Sequence, residues 1–263
     1  MTSSSLTTEE RLLTAVRERD SNTVRAILRN IVAYCKPRML LACLNADAAW
    51  AAPICLPLVD DDVVYFFLRN RGGSQHVPAV LPYINITSLL GYLTRFDDDN
   101  TAYMLAQHRV RVPGCTADEF QDYMSRGRVG FVLLFLNSIR FDIRSDEYEY
   151  TLHRLDSIKH RSHVRAIVDG FLANPSVTPV ALLDALLWDQ RCLWIPFVLE
   201  RAPTTLPTSA AVTRALHRGC VPALEMAAAK EPLPILSMVC NVPPSGRPDF
   251  NAIRSRCVYK LLM

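Results

Sequence analysis

Leu12-Leu-Thr-Ala-Val-Arg-Glu-Arg-Asp20-Ser-Asn-Thr-Val-Arg-Ala-Ile-Leu28 is the stretch that decides how the rest of this chain is read. Leu12, Ala15 and Val16 fall on one face of a helix, Asp20-Ser-Asn supplies a turn, and Val24 and Ile27 fall on one face of a second helix. The same pattern recurs. With one anchor at each internal turn, the series is Asp20, Asp60, Asp97, Gly127, His160, Gln190 and Gly219, spaced by 29 to 40 residues. Four places after each anchor stand Val24, Val64, Thr101, Phe131, Val164, Trp194 and Ala223. Seven places after stand Ile27, Phe67, Met104, Leu134, Ile167, Phe197 and Met226. A period in this range marks a stack of supersecondary units, each burying its apolar face on its neighbours.

Thr7 with Glu10, and Thr116 with Glu119, have the spacing of capping boxes and open the first and fourth units. Pro37 breaks the pattern after the first unit, with an extra turn or short helix expected over Met39 to Leu44. Gly72-Gly73 reads as a helix stop. Pro196 falls inside the expected second helix of the sixth unit and should kink it. The organisation expected is a polar tail over 1–6, a repeat domain over 7–230, and a proline-rich cap over 231–263. That cap would be irregular up to a final helix over Asn251 to Leu262.

Leu12 to Leu28 resembles the helical part of an ankyrin repeat. Ala215-Leu-His-Arg-Gly-Cys-Val-Pro-Ala-Leu-Glu225 looks like the same segment, and Asp60 to Gly72 is similar to the ankyrin second helix with its glycine stop. The likeness covers about residues 8–230. The family's Thr-Pro-Leu-His opening is missing, and so is its Gly-Ala-Asp-Val-Asn hairpin signal, so long hairpin fingers are not expected. The fold class expected is all-α: a solenoid of about seven stacked helix-turn-helix repeats, ankyrin-like, with a C-terminal capping segment. A stack of helical hairpins of another family fits the same periodicity. The resemblance implies protein binding through a groove or loop edge, without catalysis.

The 263 residues are 50% hydrophobic and 21% charged, which suits a large core and not a disordered chain. A net charge of +3 is too mild to demand nucleic acid. Eight cysteines at wide spacings, with no CxxC pair, read as free thiols in a reducing, cytoplasmic setting. No uninterrupted apolar run reaches eighteen residues, so no membrane partner is expected.

Candidate chemistry is thin. His160-x-x-His163 and His217-x-x-Cys220 have ligand-like spacing, but neither has a second pair to complete a zinc site. No cofactor, metal or small-molecule substrate is expected. Nine glycines show no phosphate-loop spacing. The Asp60-Asp-Asp62 and Asp97-Asp-Asp99 runs precede second helices, where carboxylates cap free N–H groups.

Arginine is the remaining signal: all but four of the 29 basic residues are Arg. That bias follows either from GC-rich coding or from selection for bidentate contacts. Arg29, Arg69, Arg71, Arg109, Arg111, Arg140, Arg144 and Arg201 fall near the ends of second helices, and stacking would align them as a ridge. Such a ridge would meet an acidic protein surface or, as the weaker expectation, RNA phosphates. Solvated charges complementing helix dipoles are the plain alternative.

The function expected is a non-enzymatic adaptor that binds a partner protein on its solenoid face or loop edge. Divergent ankyrin-like proteins of viruses and intracellular pathogens often bind host factors, so host modulation is one form of that expectation. The alternative is a structural subunit of a ribonucleoprotein or other large assembly, held through the arginine ridge.

Overall fold

The computed structural model describes residues 7–70, 73–114, 116–139, 160–188, 192–245 and 248–263. Among them every regular element is helical, with sixteen α-helices and no strand. The chain divides into two units, Met1–Gly114 and Cys115–Met263.

The first unit holds α1 (Thr8–Arg17), α2 (Ser21–Asn30), α3 (Lys36–Cys55), α4 (Asp61–Arg69), α5 (Val77–Val80), α6 (Ile86–Phe96) and α7 (Asp99–Gln107). The Thr7–Glu10 capping box forms as the sequence spacing predicts. Helix α1 packs on α2 and α3, α3 on α4, and α4 on α6 and α7. The extra helix after Pro37 is longer than expected and runs into the next one, giving α3 its twenty residues. At Asp47 the backbone turns extended, and the Asp47 carboxylate restarts the helix by accepting the Trp50 N–H at 3.1 Å.

The stretch Ala33–Leu58 is long and apolar enough to cross a membrane by length and composition only, and it contains no unbroken apolar run of that length. In this fold its Leu40, Cys43, Leu44, Ala51, Ala52 and Cys55 are buried, and α3 packs against α1, α2 and α4. Gly73 does its work through close approach, since a Cβ there would collide with the Phe67 carbonyl oxygen.

The second unit holds α8 (Ala117–Ser125), α9 (Val129–Leu136), α10 (Arg161–Ala173), α11 (Pro179–Trp188), α12 (Ile195–Arg201), α13 (Ser209–His217), α14 (Val221–Ala227), α15 (Pro232–Asn241) and α16 (Pro248–Leu262). Its packing follows two rows. Second helices α9, α10, α12, α14 and α16 touch in succession, and first helices α11, α13 and α15 do the same. The first helix expected for the fifth unit lies outside the described residues.

Two expectations about proline are corrected here. Pro196 does not kink a helix, because α12 starts at Ile195 and places Pro196 in its first turn. The 231–263 segment is not irregular up to Asn251. It forms two helices, α15 and α16, that pack on each other. Both follow from one physical fact: first-turn N–H groups have no intrahelical partner, so a residue lacking N–H costs nothing there.

One turn recurs inside the pairs. Arg19, Asp97, Gly127 and Gly219 all have positive φ, between 49° and 74°. In each case the next residue's N–H donates back across the turn, at 2.8 to 3.0 Å. The pairs are Asp20 to Ala15, Asp98 to Leu93, Arg128 to Tyr123, and Cys220 to Ala215. This left-handed closure satisfies carbonyls at the end of the first helix. The second helix starts at once. Asp20 caps α2 by accepting from the Asn22 and Thr23 N–H groups, and Asp98 caps α7 by accepting from Thr101.

The residues four after each of the seven anchors are all buried, from Val24 to Ala223. Seven after, Ile27, Phe67, Leu134 and Ile167 are buried, while Met104, Phe197 and Met226 are half-buried.

Candidate protein-binding groove

The first unit carries an open groove of about 890 Å³ between the start of α3 and α4. Its two walls come from two helical faces. On one side Ala33, Tyr34, Pro37, Arg38 and Leu41 recur at helical spacing; on the other Asp62, Val63, Phe66, Arg69 and Asn70 do. Val32 is extended, and the 3-10 turn Ala33–Cys35 follows it, so Tyr34 is lifted off the body and is 85% exposed. Pro37 sits in the first turn of α3, where its fixed φ suits the helix start.

The apolar lining extends beyond the groove as a strip. Phe66 is 40% exposed and lies 6.2 Å, centroid to centroid, from Phe96, which is 43% exposed. Beneath them the buried Tyr65 ring stacks on Phe96 at 5.4 Å and on Tyr92 at 5.7 Å. The Arg95 guanidinium lies 5.6 Å from the Phe96 centroid. Isolated exposed apolar side chains are ordinary, but contiguous aromatics bordered by arginine have the composition of binding hot spots.

Polar contacts fix the strip from below. The Tyr65 hydroxyl donates to Asp98 Oδ2 at 2.9 Å, and the Thr101 hydroxyl donates to the same oxygen at 2.9 Å. Burial, then the hydrogen bond to Asp98, pushes the Tyr65 phenol up to about 12. Arg69 Nε lies 3.7 Å from Asp98 Oδ2, and Arg38 Nη2 is 2.8 Å from Glu9. Asp62, the carboxylate of the lining, accepts the Val63 N–H at 2.7 Å. What this arrangement offers is apolar area rimmed by guanidinium donors.

The arginines picked from the sequence have mixed fates. Arg69 lines the groove. Arg29, Arg109 and Arg111 are exposed, with Arg109 in the left-handed region at φ 55°. Arg201 is held by Asp169 through two contacts, Nε to Oδ1 at 2.6 Å and Nη2 to Oδ2 at 2.7 Å, and this hydrogen bonding raises its pKa. Arg71, Arg140 and Arg144 lie outside the described residues. Tyr34, Arg38, Phe66 and Phe96 were missed. One signal was available for Phe66: it stands six places after its anchor, off the offsets that turn inward.

Among the described residues no group of three or more His, Cys, Asp or Glu is placed to hold a metal. The His160 and His163 rings lie 5.3 Å apart, and His217 stacks on Phe250 at 4.3 Å. Cys43, Cys55, Cys220 and Cys257 are buried free thiols. Cys55 is pushed up by its hydrogen bond to Cys43 and by burial; Cys257 is pushed up to about 11, chiefly by burial. Thiols raised in this way are poor nucleophiles.

No family model, curated protein or solved structure matches the chain.

Proposed function

We propose that this chain is a non-enzymatic interaction module, built of ankyrin-like helix-turn-helix repeats in a solenoid stack, that holds a partner protein in the groove of its first unit. The observation that carries the reading is the strip of Tyr34, Phe66 and Phe96 beside Arg38 and Arg69 at the edge of an open 890 Å³ groove. The recurring left-handed turn and the two helical rows of the second unit support the repeat reading.

The rival reading, a structural subunit gripped through an arginine ridge, draws less support. Arg201 spends its fork on Asp169, which leaves Arg29, Arg109 and Arg111 as the exposed members without a carboxylate partner among the described residues.

The test is affinity purification of the tagged chain from its native cells, in low and high salt, with and without nuclease, beside a Tyr34→Ala variant. The proposal expects one or two stoichiometric proteins that survive high salt and nuclease and are lost from the variant. Recovery of a many-subunit particle, or loss of everything on nuclease treatment, contradicts it, because phosphate-driven association weakens steeply with salt and an apolar protein interface does not.

A further inference from the structure

Resting on the reading of the groove as a protein-binding site, we infer that its occupant is an amphipathic segment whose apolar side chains enter between α3 and α4 and whose carboxylates meet Arg38 and Arg69.

The rim has donors to spare. A guanidinium carries five N–H donors in a planar fork that matches a carboxylate. Arg38 pairs with Glu9 through Nη2, and its side chain is still 76% exposed. The printed approach of Arg69 to Asp98, Nε to Oδ2 at 3.7 Å, is beyond hydrogen-bond range, and the Arg69 side chain is 55% exposed. The lining's acid, Asp62, turns Oδ1 to the Val63 N–H at the start of α4. Carboxylates arriving with a partner would therefore find two arginines whose present partners lie outside the lining. Between them Leu41, Val63 and Phe66 give the apolar lining, and Tyr34 stands exposed at one edge.

The lining and the charges together favour a protein segment over a nucleic acid, although rings interleaved with arginine also suit single strands. Two acidic runs, Asp60–Asp62 and Asp97–Asp99, sit at the starts of α4 and α7, beside the strip. Residues 1–114 contain twelve Arg or Lys against eleven Asp or Glu. A polyphosphate backbone would meet these carboxylates all along its length, whereas a segment with a few acids set around an apolar face would not. Helix-in-groove recognition has this logic: apolar anchors recur at i, i+3, i+4 and i+7, with charges at the margins.

The experiment uses the full chain and two fluorescein-labelled 16-residue peptides with leucine at those positions. One carries glutamate elsewhere and the other lysine, and anisotropy is read at low salt. The Leu/Glu peptide is expected to bind at least tenfold more tightly than the Leu/Lys peptide. Arg38→Glu should abolish that preference, Arg38→Ala should reduce it, and Tyr34→Ala should weaken both peptides, with circular dichroism unchanged in each variant. Equal binding of the two peptides, or a preference that survives Arg38→Glu in a folded variant, overturns the inference. So does displacement of the Leu/Glu peptide by an oligouridine 20-mer at equal concentration, which would mark a nucleic-acid groove. The outcomes separate from those of the purification. If the cellular partner depends on Tyr34 but the peptides show no charge preference, the inference fails and the adaptor reading stands. If the partner ignores Tyr34, the reading of the groove itself fails.

Discussion

Asp98 shows how one side chain can hold several groups in place. It caps α7 through the Thr101 N–H at 3.1 Å, accepts the Thr101 hydroxyl, and accepts the hydroxyl of Tyr65, whose ring is fully buried under the aromatic strip. Asp98→Ala would decap the helix and leave a buried phenol without its acceptor. The expected cost is about 3 kcal/mol in denaturant unfolding; a loss below about 0.5 kcal/mol would contradict the network. Tyr65 also sets an alkaline limit. Its folded pKa of about 12 lies above the unfolded value of about 10. The folded state therefore holds the proton more tightly, and this contribution is complete below pH 10 and is lost as pH rises toward 12. A thermal melt against pH should show Tm falling over that window, and Tyr65→Phe should flatten the fall. Tyr34 behaves oppositely. At 85% exposure, Tyr34→Ala should leave Tm within a degree or two while partner capture drops at least tenfold.

At the scale of the element, the repeated turn is the feature to challenge. Gly219 has φ 74°, and a Cβ there would meet only Ile253 Cδ1, at 3.6 Å. Gly219→Ala is thus a backbone test with little steric cost. It should destabilise by about 1 kcal/mol, the penalty of a left-handed conformation for a residue with a Cβ. No loss in the melt would mean that the turn is not held left-handed. The cap after the first turn responds to acid. The Thr23 hydroxyl, then the Thr23 and Asn22 amides, hold Asp20 below the usual carboxylate range. That stability is present above about pH 4 and is lost as pH falls through the lowered value. Amide exchange in α2 should rise there first, and Asp20→Asn should move the onset. Much at this scale was legible in the sequence. The capping residues Thr7 and Thr116, the cap within the Asp97–Asp99 run, and the buried positions from Val24 to Ala223 follow from local spacing, whereas Asp60, expected to cap α4, makes no side-chain cap hydrogen bond. The prolines of 231–263 misled, because a proline reads as a breaker until one knows that it opens a helix, as Pro232 does in α15.

For the molecule as a whole, what could not be read was whatever depends on distant partners. Arg201 looked free because Asp169 lies 32 residues away in sequence, on another helix. The groove was hidden for the same reason: Tyr34 and Phe66 come from different helical faces, and only packing of α3 on α4 brings them to one rim. Periodicity reports which side chains turn inward, but it is silent on which outward ones meet. In the proposed function it is this rim, and not some other exposed apolar position, that receives a protein. A photo-crosslinking phenylalanine analogue placed at position 34 of the full chain, in its native cells, would report what meets the rim. Leu233, 74% exposed in the second unit, serves as the comparison site. A protein-binding rim should give a discrete protein adduct from position 34, insensitive to nuclease, and none of the same mass from position 233. Crosslinks to nucleic acid, or the same adduct from both positions, would contradict it.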